Sequence, residues 1–162
     1  SDQPYAHQRE AENMRKTLDN YLSSDDGKNY LDYVHQQNKE LMPILGVGAG
    51  DLGQGTVAAL LHNQAGGYIL SNYEGKSFQS RVDEFAQIYN LSSDAALEYV
   101  INHELAHASG FFTEQGAEGF IKEYFTSRAR ETDDPQQQAK YQALAEVAEN
   151  REAEAANSEY SN

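Results

Sequence analysis

The chain has 162 residues, with 26 acidic against 12 basic side chains and a net charge of −14. A surface that acidic repels nucleic acid and anionic membranes, no apolar run reaches the length of a membrane span, and the absence of cysteine excludes disulfides, thiolate metal sites and cysteine nucleophiles. With 39% apolar residues the chain can fill one moderate core, so a single compact unit with polar ends is expected.

The spacing of apolar residues predicts a polar amphipathic helix over Pro4 to Leu22. A second is expected over Asn29 to Leu41, carrying Leu31, Val34 and Leu41 and broken by Pro43. The glycine-dense stretch Gly46 to Gly55 contains a GxGxxG pattern, but a dinucleotide fingerprint needs a helix directly after it, and Thr56 to Leu61 reads as a strand. It is therefore expected to be a flexible loop lining a cleft. Asn63 to Gly67 is a turn and Tyr68 to Asn72 a strand, so residues 56 to 72 form a hairpin. A helix from Ser77 to Tyr89 follows.

Ser92-Ser93-Asp94 is an N-cap cluster. After it Ala96, Leu97, Val100, Ile101, Leu105 and Ala108 recur at helical spacing until Gly110. On that helix lies His103-Glu104-Leu105-Ala106-His107. Two imidazoles four residues apart share a helix face and can hold one metal ion, and Glu104 between them can act as a general base toward water. A catalytic zinc needs a third protein ligand and an open fourth position. The next segment starts on an N-cap residue, Thr113, and carries Phe120, Ile121, Tyr124 and Phe125 on one stripe, so it reads as a second helix folded back on the first through a turn at Phe111-Phe112.

The five-residue motif is that of the zincin metalloproteases. In the metzincin branch it extends to HExxHxxGxxH; this chain follows that pattern through Gly110 and then has Thr113 where the third histidine belongs. Glu118-Gly119-Phe120 followed by Tyr124 resembles instead the Glu-Gly-Phe/Leu-Ala-x-x-Tyr segment of the gluzincin glutamate helix, and the short spacing from His107 resembles the minigluzincins. The resemblance covers residues 94 to 125. It implies Zn2+ held by His103, His107 and Glu118, with Glu104 as catalytic base and a peptide or protein as substrate. The pair Glu114 and Glu118 also resembles an arrangement in which the first carboxylate binds zinc and the second orients a ligand histidine. The symmetry of the hairpin favours Glu118, because carboxylates in a first helical turn, as at Glu114, commonly serve the helix dipole. Gly119 suggests that the active-site helix passes close by.

Beyond Asp133-Asp134-Pro135, residues 136 to 156 read as a peripheral helix and 157 to 162 as a frayed end. His7 and His35 read as solvated; His62, Tyr68, Tyr73 and Tyr124 are candidates for stabilising an oxyanion. The expected fold is α+β: a small zincin-like domain, mostly helical, with a short hairpin or small sheet beside the active-site helix. Residues 1–45 are its N-terminal helices, 46–131 the catalytic core and 132–162 the C-terminal helix and tail. The expected function is zinc-dependent peptide hydrolysis without nucleic acid or membrane partners. The rival is a non-catalytic interaction or surface-assembly protein that keeps the zincin helices around a structural metal; a third reading has His103 and His107 packed without any metal. A start at Ser1 and richness in Tyr, Asn and Gln suit an exported, extracytoplasmic protein.

Overall fold

The computed structural model describes residues 4–161. Its elements run α1 (Pro4–Ser23), α2 (Asp25–Gln36), β1 (Ile44–Gly50), β2 (Ala58–Asn63), β3 (Gly66–Asn72), α3 (Phe78–Tyr89), α4 (Ser93–Ala108), α5 (Glu114–Glu131) and α6 (Pro135–Ser161). The chain is thus α+β, mostly helical, with one small sheet. Hydroxyl N-caps set four helix starts: Ser24, Ser77, Ser92 and Thr113 each accept from the backbone N–H three residues on. The first of these corrects the expected bounds of α2. It begins at Asp25 because Ser24 caps it, and it ends at Gln36, where Asn38 turns left-handed at φ 59°.

The sheet has the order β1-β3-β2, with β1 parallel and β2 antiparallel to the central β3. The expected loop at Gly46 to Gly55 is half strand. Tyr68 and Leu70 of β3 lie across Gly46 and Gly48, where an added Cβ would come within 3.2 and 2.9 Å of their side chains. Glycine is needed there for room, and a strand whose packing groups belong to its neighbour has no alternation to read. The second half, 51–57, is a loop tied down by the buried Asn72 side chain, which bonds Leu52 N, Gly53 O and Thr56 O at 3.0, 2.7 and 2.7 Å. No helix follows the glycines, so the dinucleotide context is missing. Among the described residues no helix is long and apolar enough to cross a membrane.

Helix α4 is the axis of the core. From Ala95 to Ala108 all of its residues but Leu97 are buried, so apolar surface surrounds it on every side and periodicity alone cannot mark one face. Tyr30, Tyr99, Tyr124, Phe125 and Tyr141 bring large rings from α2, α4, α5 and α6 into the same core. Tyr30 and Tyr124 meet edge to face with centroids 5.0 Å apart; such ring pairs contribute about 0.5–1.5 kcal/mol beyond the area they bury. Tyr21 and Tyr30 also hold α4 by its polar atoms: Tyr21 donates to Asn102 Oδ1 at 2.6 Å and Tyr30 to Asn102 O at 3.3 Å. Helix α6 is no periphery. It lies along α5 and buries Tyr141, Leu144, Val147 and Ala148. It remains helical through Ser161, where a frayed end is expected, and Asn162 lies outside the described residues.

Candidate metal centre and cleft

The end of α4 sets the geometry of the site. Gly110 takes φ 104°, its N–H bonds His107 O, and Phe111 N bonds Ala106 O, which is the Schellman stop. This turn delivers the Phe111 carbonyl to His107, whose Nδ1–H donates to it at 2.7 Å. One turn back along α4, His103 Nδ1–H donates to Glu118 Oε1 at 2.5 Å. Both Nδ1 protons are committed, so both Nε2 atoms offer lone pairs inward.

Those two Nε2 atoms face each other at 3.1 Å, and the Glu114 carboxylate completes the group at 2.9 Å from His107 Nε2 and 3.3 Å from His103 Nε2. Lone pairs this close need positive charge among them, from a metal ion or from protons. Without a metal, protons take that role. Burial disfavours charge on His103, but Glu114 and Glu118 outweigh it and hold the imidazole up to about 10. Burial likewise opposes the charge on His107, and Glu114 again outweighs it. The two imidazoles in turn hold Glu114 well below the usual carboxylate range.

The fit to a metal can be tested on edge lengths. Two donors roughly 2.0–2.1 Å from one ion at tetrahedral angles stand about 3.3 Å apart. The His103–His107 edge of 3.1 Å is within a few tenths of that, and the Glu114 carboxylate reaches the two imidazoles through different oxygens, Oε1 at 2.9 Å and Oε2 at 3.3 Å. Two imidazoles and one carboxylate are a zinc donor set, and His103, His107 and Glu114 could hold it.

Glu118, the carboxylate expected in that group, does not join it. Its Oε1 takes the Nδ1 proton of His103, and its Oε2 accepts from Tyr99 Oη at 2.5 Å and Arg151 Nε at 3.0 Å. The physical reason is the tightness of the turn. Because the Schellman stop ends α4 at Ala108 and Thr113 already caps α5, Glu114 in the first turn of α5 is level with His107, and Glu118 is one turn further, level with His103. Gly119 is also explained differently: an added Cβ would meet Glu152 Oε2 of α6 at 2.5 Å, so the crowding element is α6 and not α4.

Glu104 is buried beside the histidines, with no hydrogen-bond partner for Oε1, and burial pushes its carboxyl up. It lines an open cleft of about 860 Å³ together with both histidines and Glu114. One wall is β2, through Ala58, Ala59, Leu60 and His62; β3 pairs one edge of it, and among the described residues no strand pairs the other. The opposite end is walled by Phe85, Ile88, Tyr89, Tyr99, Val100 and Arg151.

Arg151 was not expected at the site. Its guanidinium stacks over Phe85, Tyr89 and Tyr99 at 5.3–5.9 Å from the ring centroids and donates to Tyr89 Oη at 3.0 Å. It is the only basic residue after Lys140, in a helix of alanines and acids, and that solitary charge was a readable signal. Tyr99 sits one helical turn before His103 and could have been found by projecting α4.

Of the oxyanion candidates, only His62 lines the cleft. Tyr124 is buried in the core, Tyr68 is exposed on β3, and Tyr73 meets His7 edge to face at 4.9 Å. His7 is thereby drawn out of pure solvation, with Asp51 at 3.8 Å. His35 is exposed near the end of α2. Among the described residues, none of α1 or α2 lines the cleft. Comparison with protein-family models, with curated proteins and with solved structures gave no match.

Proposed function

We propose that this chain is a zinc-dependent peptidase of gluzincin type, with His103, His107 and Glu114 as the metal ligands and Glu104 as the general base. The observation that carries the reading is the meeting of a three-donor group at ligand spacing with an unpartnered buried carboxylate on an open cleft. When bound, zinc would supply Lewis acidity, lowering the pKa of water and polarising a carbonyl. The chain's own residues do the rest. Glu104 takes a proton from the attacking water and returns it to the leaving amine, and burial pushes its carboxyl up, in the direction that favours a base. Glu118 fixes the tautomer and ring plane of His103, and Phe111 O does so for His107. Tyr99 and Arg151 fix Glu118 in turn.

The free edge of β2 suits an extended peptide, which would add as a further strand along the cleft. A structural site would be closed by four protein ligands. Three donors beside an open cleft, with a base waiting there, favour catalysis over the scaffold reading. The test is direct: purified protein loaded with one equivalent of zinc is incubated with a mixed peptide library, and products are read by mass spectrometry. Cleavage that stops on chelation and returns on adding zinc is the expected result; a library left intact by zinc-loaded protein counts against the proposal.

A further inference from the structure

The two ends of the cleft differ in kind. Near His103 it is a pocket of aromatic walls, whereas beside His107 it ends in a rim made by two exposed rings, His62 of β2 and Phe112 of the α4–α5 turn. Their centroids are 4.4 Å apart and their planes only 10° from parallel. Phe112 is 55% exposed, so the ring contributes little to the core. Its backbone neighbours are nevertheless fixed, because Phe111 is held by the Schellman bonds and by His107 Nδ1. The rim is therefore rigidly indexed to the proposed metal ligands.

We propose that the stacked pair His62–Phe112 is the specificity element of the site, selecting an aromatic side chain on the N-terminal side of the scissile bond; this rests on the peptidase reading above. Strand direction gives the side. β2 starts after Val57, whose carbonyl accepts from Asn72 N. Asn72 O accepts from Arg81 of α3, the helix whose Phe85 meets Tyr99 at the His103 end, and β2 runs from there to His62, stacked on Phe112 at the His107 end. A peptide pairing antiparallel with the free edge, the more frequent mode, has its N-terminal residues beside His62. Ring chemistry gives the preference. A flat stack with an exposed face offers offset or edge-to-face contact to a third ring, which an aliphatic side chain of similar area cannot match.

The experiment uses three blocked hexapeptides that differ only in having Phe, Leu or Ala before the scissile bond. Zinc-loaded protein should cleave the Phe peptide with a kcat/KM about 3- to 10-fold above that of the Leu peptide. Phe112→Leu, which keeps apolar area and loses the ring, should bring that ratio to about 1, and Phe112→Tyr should restore it. A ratio unchanged by Phe112→Leu, or an aromatic preference on the C-terminal side of the bond, overturns the proposal. So does His62→Gln lowering kcat equally for all three peptides, which marks an electrophile instead of a selecting surface. Binding is read separately in zinc-loaded Glu104→Gln protein, as the ring-current shift of the His62 Hε1 proton on adding peptide. A shift with the Phe peptide and none with the Leu peptide supports the rim even where the wild-type chain turns nothing over, a result that sinks the peptidase reading alone. Equal shifts, or none, overturn the rim itself.

Discussion

Glu118 holds His103 by Nδ1, at 2.5 Å, and so stands behind the imidazole and not in front of it. Glu114, four residues earlier on the same helix, faces the Nε2 atoms of both histidines. The two carboxylates should thus respond differently to the same substitution. Glu114→Gln should remove most zinc affinity, measured by competition with a chromogenic chelator, while Glu118→Gln should weaken it about 10- to 100-fold through loss of orientation. The reverse order would return the ligand role to Glu118.

Gly110 allows a second, purely backbone test. Nothing lies within 4 Å of where its Cβ would be, so the cost of Gly110→Ala comes from φ 104° alone. That should be about 1–2 kcal/mol of stability by denaturant unfolding. Because the same turn supplies Phe111 O to His107, zinc affinity should fall as well. A variant as stable as the parent with unchanged zinc binding would show that the stop is not what holds His107.

The legible part of this chain lies in local signals. The caps Ser77, Ser92 and Thr113 mark three helix starts, and the i, i+4 spacing of His103 and His107 sets both imidazoles on one face. Identity of the third ligand depends on which histidine nitrogen each carboxylate reaches. That is decided by Tyr99 and Arg151, 19 and 33 residues away from Glu118, and no local pattern records it. β1 was illegible because Tyr68 and Leu70 of a different strand fill the space its glycines leave.

Glu98 lies on α4, five residues before His103 and away from the proposed metal ligands. Burial pushes its carboxyl up to about 7 against the pull of Lys140 at 2.9 Å. The groups acting on it include Tyr21 of α1, Asp26 of α2, Tyr124 and Arg128 of α5, and Tyr141 beside Lys140 on α6. A carboxyl whose pKa is higher in the folded state binds more protons there. Its contribution is complete below the unfolded value of 4.5 and is lost as pH rises through 7. Relative to Glu98→Gln, the parent should therefore lose about 3 kcal/mol of unfolding free energy between pH 4.5 and 8.5. Parallel stability profiles of the two proteins would contradict the assignment.

Gly119→Ala probes the α5–α6 contact. The obstacle to a methyl group is the carboxylate end of Glu152, which also pairs with Lys122 at 2.7 Å and can swing aside. Gain of helix propensity, about 0.5–1 kcal/mol, should then offset the loss of that partly buried pair. The melting temperature should hold or rise by a few degrees, with zinc binding intact. A large drop would mean that Glu152 is fixed and that the two helices tolerate nothing between them.

The central claim is that His103, His107 and Glu114 hold zinc for a reaction in which Glu104 moves the proton. The most direct measurement is Glu104→Gln, assayed for bound zinc and for peptide hydrolysis in the same preparation. Zinc content equal to that of the parent, with kcat lowered about 10²- to 10⁴-fold, is the predicted result. Full zinc occupancy with undiminished hydrolysis would contradict the account.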